Sequence, residues 1–116
     1  MVFCRWRKLL GLVTCYAESS DGKVWIKPEL DVVPGTNIVD TLEHDCVSVL
    51  LDKFEKDRTK RYKMFVVEFN NRFTVSMKLK YSSDGIHWSE PKALSGELYD
   101  RCAAYYDPFR KKYVCH

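Results

Sequence analysis

Ser82-Ser83-Asp84-Gly85-Ile86-His87-Trp88 decides how this chain is read, because the chain states it twice. The earlier copy is Ser19-Ser20-Asp21-Gly22-Lys23-Val24-Trp25, with five identities in seven positions and both Asp and Trp displaced by 63 (84 − 21 and 88 − 25). A β-prone run leads into each copy: Leu12-Val13-Thr14-Cys15-Tyr16 before the first, Phe73-Thr74-Val75-Ser76-Met77 before the second. Asp-Gly supplies the turn, since Asp hydrogen-bonds its neighbouring backbone and Gly takes positive φ without steric cost. The Trp three residues after Gly returns on the next strand, where a large ring covers a ribbon that is otherwise short of apolar area. Trp25 and Trp88 are therefore expected in the core. The plainer reading is two unrelated hairpins. The repeat reading points to stacked β-units or propeller blades, which run to about 40–50 residues each, or more with insertions.

Working outward, Val2–Trp6 is aromatic and β-prone, Arg7-Lys8 punctuate it, and a strand is expected to Ala17. Lys27–Asn37 holds two prolines and a Pro-Gly pair, which exclude a helix and leave an extended connector that is expected to cross from one unit to the next. Cys46-Val47-Ser48-Val49-Leu50-Leu51-Asp52 has the near-continuous apolar character of an inner strand buried on both faces. A charged loop follows at 53–61, then Arg61–Phe69, an Asn70-Asn71 turn, and Arg72–Tyr81 with Phe73, Val75, Met77 and Leu79 on one face. That unit counts four antiparallel strands, the composition of one propeller blade. A third unit begins with Cys102–Asp107, which parallels Cys46–Asp52 with the cysteines 56 positions apart (102 − 46), and turns at Pro108–Lys112 into Tyr113-Val114-Cys115. Strands are thus expected at about 12–18, 46–51, 62–69, 73–81 and 102–106, with no long helix.

Composition sets the outer bounds. With 116 residues, 46% of them hydrophobic and 14% aromatic, the chain has the makings of a folded core. The formal charge of +3 is mild, and its basic run at 53–61 is interleaved with acids, which reads as a solvated loop and not as a nucleic-acid patch. Five cysteines, an odd number without a Cys-x-x-Cys pair, signal neither a disulfide framework nor a zinc site, so reduced thiols are expected. The basic and apolar residues near the N-terminus are too short a run for a secretion signal, and no stretch approaches the roughly 20 apolar residues of a membrane span. A cytoplasmic location is favoured, with no membrane or nucleic-acid partner.

These residues resemble a family. The Ser-x-Asp-Gly-x-x-Trp turn repeated per blade, the His44-Asp45 before an inner strand, and Tyr106-Asp107-Pro108-Phe109-Arg110-Lys111-Lys112-Tyr113-Val114 look like the five-bladed β-propeller glycoside hydrolases. That group comprises arabinanases, levansucrases and invertases, in particular bacterial proteins related to the invertase-type catalytic domain. The likeness spans about residues 12–115. It implies an all-β fold, a fragment of a five-bladed propeller amounting to about two blades: 1–30 the end of one blade, 40–90 a whole blade, 97–116 the start of the next. It also implies a carbohydrate substrate, no cofactor and no metal.

In that group carboxylates at the heads of inner strands face a central funnel. Glycosidic cleavage uses one protonated carboxyl and one ionised one. Asp45, in Glu43-His44-Asp45-Cys46, matches the orienting position, where the family has Arg-Asp-Pro; here His44 replaces Arg and Cys46 replaces Pro. At the next head, Tyr99-Asp100-Arg101-Cys102, the family pattern has Glu-Cys; Arg101 stands where the acid belongs and Asp100 comes one position early. The resemblance thus makes Asp45 and Asp100 catalytic candidates and His44 and Arg101 substrate-binding ones. By residue type alone, Asp45 reads equally as a turn cap, Asp100-Arg101 as a local ion pair, and His44 as a surface or turn residue. The nucleophile-bearing head is expected before Met1, so the chain alone is expected to be inactive, with open sheet edges that offer self-association. The other reading is a non-catalytic β-repeat module that binds a glycan or a protein.

Overall fold

The computed structural model describes the backbone of residues 2–8, 11–44, 46–71, 73–99 and 102–116, with side chains from residue 12 onward. The described chain is all-β and antiparallel, its one helical element being a single 3-10 turn at Arg58–Lys60. It divides into two compact units, Met1–Glu43 and His44–His116.

The first unit is a three-stranded sheet in the order β1 (Val2–Lys8), β2 (Gly11–Ala17), β3 (Ile38–Asp40). Arg7 and Lys8 do not punctuate β1 but complete it, paired with Leu12 and Gly11. Val13, Cys15 and Ile38 form its buried apolar cluster, with Val33 packed against them. Between β2 and β3 the connector is extended, as its prolines require, but it joins two strands of one sheet instead of crossing to the next unit. It folds back once, where Thr36 N–H donates to Val33 O and Gly35 sits at φ 75°. Asn37 closes it against β2 by donating its side-chain amide to Tyr16 O at 2.6 Å.

The second unit holds a four-stranded meander, β4 (Cys46–Leu51), β5 (Tyr62–Phe69), β6 (Val75–Ser82) and β7 (Ala93–Leu94), hydrogen-bonded in that order. A separate hairpin follows, β8 (Ala104–Asp107) with β9 (Lys112–Cys115). Val67, Val75, Met77, Cys102 and Ala104 form the core between sheet and hairpin, with Cys46, Phe65 and Leu98 packed around it. Full burial of one of the valines or the methionine contributes about 1.5–3 kcal/mol, and Cys102 and Ala104 bring the hairpin end into this cluster.

Two expectations about burial need correction. β4 is only half-buried along its length, because it is an edge of its sheet; the strand sealed on both faces is β5, where Met64, Val66 and Val67 are all buried. Its burial on both faces hides behind Lys63, a charged residue that the ion pairs below make tolerable in the interior. Phe73, expected on the inward face of the following strand, precedes β6 and is exposed.

The repeat is structural. In both copies a Ser hydroxyl accepts from the Gly N–H, at 2.9 Å for Ser19 and Gly22 and 2.8 Å for Ser82 and Gly85. In both, one Asp oxygen accepts two consecutive N–H groups: Lys23 and Val24 at 2.8 and 2.9 Å on Asp21, Ile86 and His87 at 2.8 and 2.9 Å on Asp84. The glycines take φ 73° and 81°. Beyond each turn the chain re-pairs at the same offset: Ile26 N–H donates to Glu18 O at 2.8 Å, and Ser89 N–H to Tyr81 O at 2.9 Å, again 63 residues on (89 − 26 and 81 − 18). The turn is wider than a two-residue hairpin, because the Asp carboxylate and the Ser hydroxyl organise it from within.

Trp25 departs from its expected place: it is 41% exposed, and Trp88 is half-buried. The turn's internal hydrogen bonds, not a buried indole, hold the first copy together.

Candidate functional site

Strands β4 and β8 run side by side in the same direction. Cys46 and Cys102 share one core cluster at their N-terminal ends. Further along, Ala104 N–H donates to Ser48 Oγ at 3.1 Å. Beyond the far end of β4, the Phe54 ring lies 6.0 Å from that of Tyr106. Contacts therefore advance together along both strands, and the equivalence of the two cysteine-headed runs holds in space.

Asp45, Asp100 and Arg101 lie outside the described residues. His44 lies within them and corrects the reading of it as a surface or turn residue: it is 3% exposed, enclosed just ahead of β4. Cys46 and Cys102, which flank these positions, form no disulfide in this structure, nor do Cys15 and Cys115. Among the described residues no cluster of three or more His, Cys, Asp or Glu side chains could hold a metal ion.

At the opposite end of β4 is a polar cluster that sequence reasoning missed. Lys63 on β5 is buried, its side chain 6% exposed, and its ammonium donates to Asp52 Oδ2 at 2.9 Å, Glu55 Oε2 at 3.1 Å and Lys60 O at 3.0 Å. The rings of Tyr81 and Tyr113 flank it with centroids 5.6 and 5.7 Å from Nζ, within cation–π range. The Tyr113 hydroxyl donates to Asp52 Oδ2, and Phe54 N–H to Asp52 Oδ1 at 3.0 Å. Leu50, Leu51, Phe54, Tyr106 and Tyr113 line a cavity of about 130 Å³ over this carboxylate.

Burial pushes the Asp52 carboxyl up, but the Tyr113 hydroxyl, the Lys63 ammonium and the Phe54 N–H outweigh it and hold it at about 2. Glu55 is also held below its usual range, by the Asp57 N–H and then Lys63. For Lys63, burial favours the neutral amine, yet hydrogen bonds to Asp52 and Glu55 raise its pKa. Burial and the bond to Asp52 push Tyr113 up to about 12. None of these groups changes protonation near neutrality. Glycosidic acid–base chemistry needs one carboxyl held protonated, and here both carboxyls are held ionised, so the cluster is an ionic lock and not an acid–base pair.

The signal for it was faint. Lys63 stands in an otherwise apolar-aromatic run, and two acids precede it in a loop 8 and 11 residues away; the phenol that completes the set is 61 residues from Asp52. The turn at Asp84 carries its own pair: His87 Nδ1 lies 2.7 Å from Asp84 Oδ2. Burial would raise Asp84, but His87, two backbone N–H groups and the Ser82 hydroxyl bring it well below the usual carboxylate range. This pair is exposed and serves the turn.

No family model matches the chain, and neither the curated proteins nor the solved structures contain a match to it.

Proposed function

We propose that this chain is part of a five-bladed β-propeller of glycoside-hydrolase type, with residues 40–90 as one whole blade, and that its sugar-facing end is the N-terminal end of β4 and β8. The observation that carries this is the side-by-side packing of β4 and β8, headed by Cys46 and Cys102 and running in the same direction. The four-stranded meander and the Ser-Ser-Asp-Gly turn that recurs with matching hydrogen bonds support it. In this reading Asp45 and Asp100 are the carboxylates, Arg101 donates to sugar hydroxyls, and His44, being enclosed, orients the Asp45 segment instead of touching sugar. Only two blade heads fall within these 116 residues, so the chain alone binds a carbohydrate without hydrolysing it.

The test is a titration of the chain with fructo- and arabino-oligosaccharides followed by amide NMR. Shifts are expected at 44–46 and 100–102, weakened about ten-fold or more by Arg101→Ala, the loss that removing a charged hydrogen-bond donor brings. Shifts confined to other positions, or none with any oligosaccharide, would refute the reading.

A second reading, a module that binds a protein, is favoured by Phe54 and Phe109, which stand 78% and 95% exposed on their turns. It requires Phe109→Ser to abolish partner binding while the sugar titration stays silent.

A further inference from the structure

The hairpin of β8 and β9 brings two thiols together. Ala104 pairs directly with Cys115, and Ala103 exchanges both backbone hydrogen bonds with His116, at 2.9 and 3.1 Å, so the ladder continues past β8 toward Cys102. Side chains alternate along it: Cys102 and Ala104 are buried on one face while Ala103 between them is exposed. Cys102 is thus the diagonal neighbour of Cys115 on the same face of the ladder, and its thiol helps to raise the Cys115 pKa. One is accessible and the other is not, since Cys115 is exposed and Cys102 is 8% exposed.

We propose that Cys102 and Cys115 form a reversible disulfide, a redox modification site at the base of the hairpin. Diagonal positions lie about 7–8 Å apart between Cα atoms, somewhat beyond the roughly 4.4–6.8 Å a relaxed disulfide spans. Closing the bond therefore draws the segment ahead of β8 inward, and the resulting strain makes the bond easy to reduce. A permanent structural bridge would need no such adjustment.

With a small-molecule disulfide as oxidant, the step balances. Cys115 loses its proton to solvent and its thiolate attacks one sulfur of the oxidant, expelling the first thiolate. Cys102, deprotonated in turn, attacks Sγ of Cys115 and expels the second. The Cys102–Cys115 bond has formed, the oxidant's S–S bond has broken, and the two protons and two electrons leave with two small thiols. Burial and the neighbouring Cys102 thiol raise the Cys115 pKa, so exchange accelerates as pH rises. The site is independent of the carbohydrate reading.

The test equilibrates the full chain with mixtures of oxidised and reduced glutathione, quenches with acid, alkylates free thiols and maps peptides. Trypsin cuts after Arg101, Arg110, Lys111 and Lys112, so peptides 102–110 and 113–116 remain joined only through this bond. The expected product is a monomer lighter by two hydrogens, with that peptide pair joined, Cys15 and Cys46 alkylated, and full reversal by excess reduced glutathione. Cys115→Ser removes an exposed thiol and should abolish the joined pair without loss of folding, whereas Cys46→Ser should leave it intact. A bond between Cys46 and Cys102, a dimer linked through Cys115, a glutathione adduct that stays on Cys115, or no oxidation at all would each overturn the proposal.

Discussion

Lys63→Met is the sharpest test of the interior. The substitution keeps the side chain's length and apolar stem but deletes the ammonium that Asp52 and Glu55 share. Removing one partner of a buried pair costs about 3–5 kcal/mol, because the remaining charge is left uncompensated. Two features place this case near the lower end. Asp52, 12% exposed, keeps the Tyr113 hydroxyl and the Phe54 N–H, and Glu55, 27% exposed, keeps the Asp57 N–H. A loss of about 3 kcal/mol is expected, read as a fall of roughly 1–2 M in the urea midpoint at a slope of about 1.5–2.5 kcal/mol/M.

The pH dependence supplies an independent check. Asp52 has a folded pKa of about 2 against an ordinary 3.8, so its contribution is present above pH 4 and is lost as pH falls through about 2. The gap corresponds to roughly 2 kcal/mol at about 1.36 kcal/mol per pH unit, reduced to about 1–2 kcal/mol by solvent at the cavity mouth. Wild type should show this acid loss, and Lys63→Met should show less of it. In the double variant Asp52→Leu, Lys63→Met much of the single-variant loss should return, since neither charge is then stranded. A Lys63→Met midpoint equal to wild type, with an unchanged acid limb, would show that the ammonium is solvated and refute the lock.

The alkaline side of the same cluster has the opposite sign. Tyr113, raised from 10.0 to about 12, contributes stability that is complete below pH 10 and lost as pH rises through about 12; in a tyrosinate absorbance titration one of the seven tyrosines should ionise late, and Tyr113→Phe should remove that step. In the repeated turns, Gly22→Ala and Gly85→Ala each force a side chain into positive φ, at 73° and 81°, for a loss of about 1–2 kcal/mol in urea denaturation. Gly22 has open space where a methyl would project, so a loss there reports the backbone alone; no loss at either position would mean that the turn relaxes.

Strand positions were legible wherever pattern and pairing agreed. The expected runs at 46–51 and 62–69 coincide with β4 and β5, because β-branched and aromatic residues end there against a charged loop and an Asn pair. β3 and β7 carried little signal. Three residues and two residues are too short for a period, and the exposed Ala93-Leu94 gains its strand character only from β6. Burial was less legible than strand. A run of apolar residues does not say whether a strand is an edge, which is why β4 read as sealed and β5, interrupted by Lys63, did not.

The two ends of the neighbouring strands β4 and β8 were legible to different degrees for a physical reason. At the N-terminal end the signal lay in motif residues, two of them cysteines, and repetition at a spacing of 56 was enough to make Cys46 and Cys102 equivalent, while their shared cluster came only with the structure. At the other end Asp52, Glu55, Lys63, Tyr81 and Tyr113 come from three strands and a loop, and no local spacing connects them. Their charges are tolerable only as a set: a buried ammonium requires its carboxylates, and a depressed carboxyl requires its phenol. That mutual dependence fixes the loop after β4 against β5 and β9. With that end held by ion pairs and aromatic rings, the reversible bond proposed above belongs to the opposite, cysteine-bearing end, where Cys102 is the diagonal neighbour of an exposed thiol.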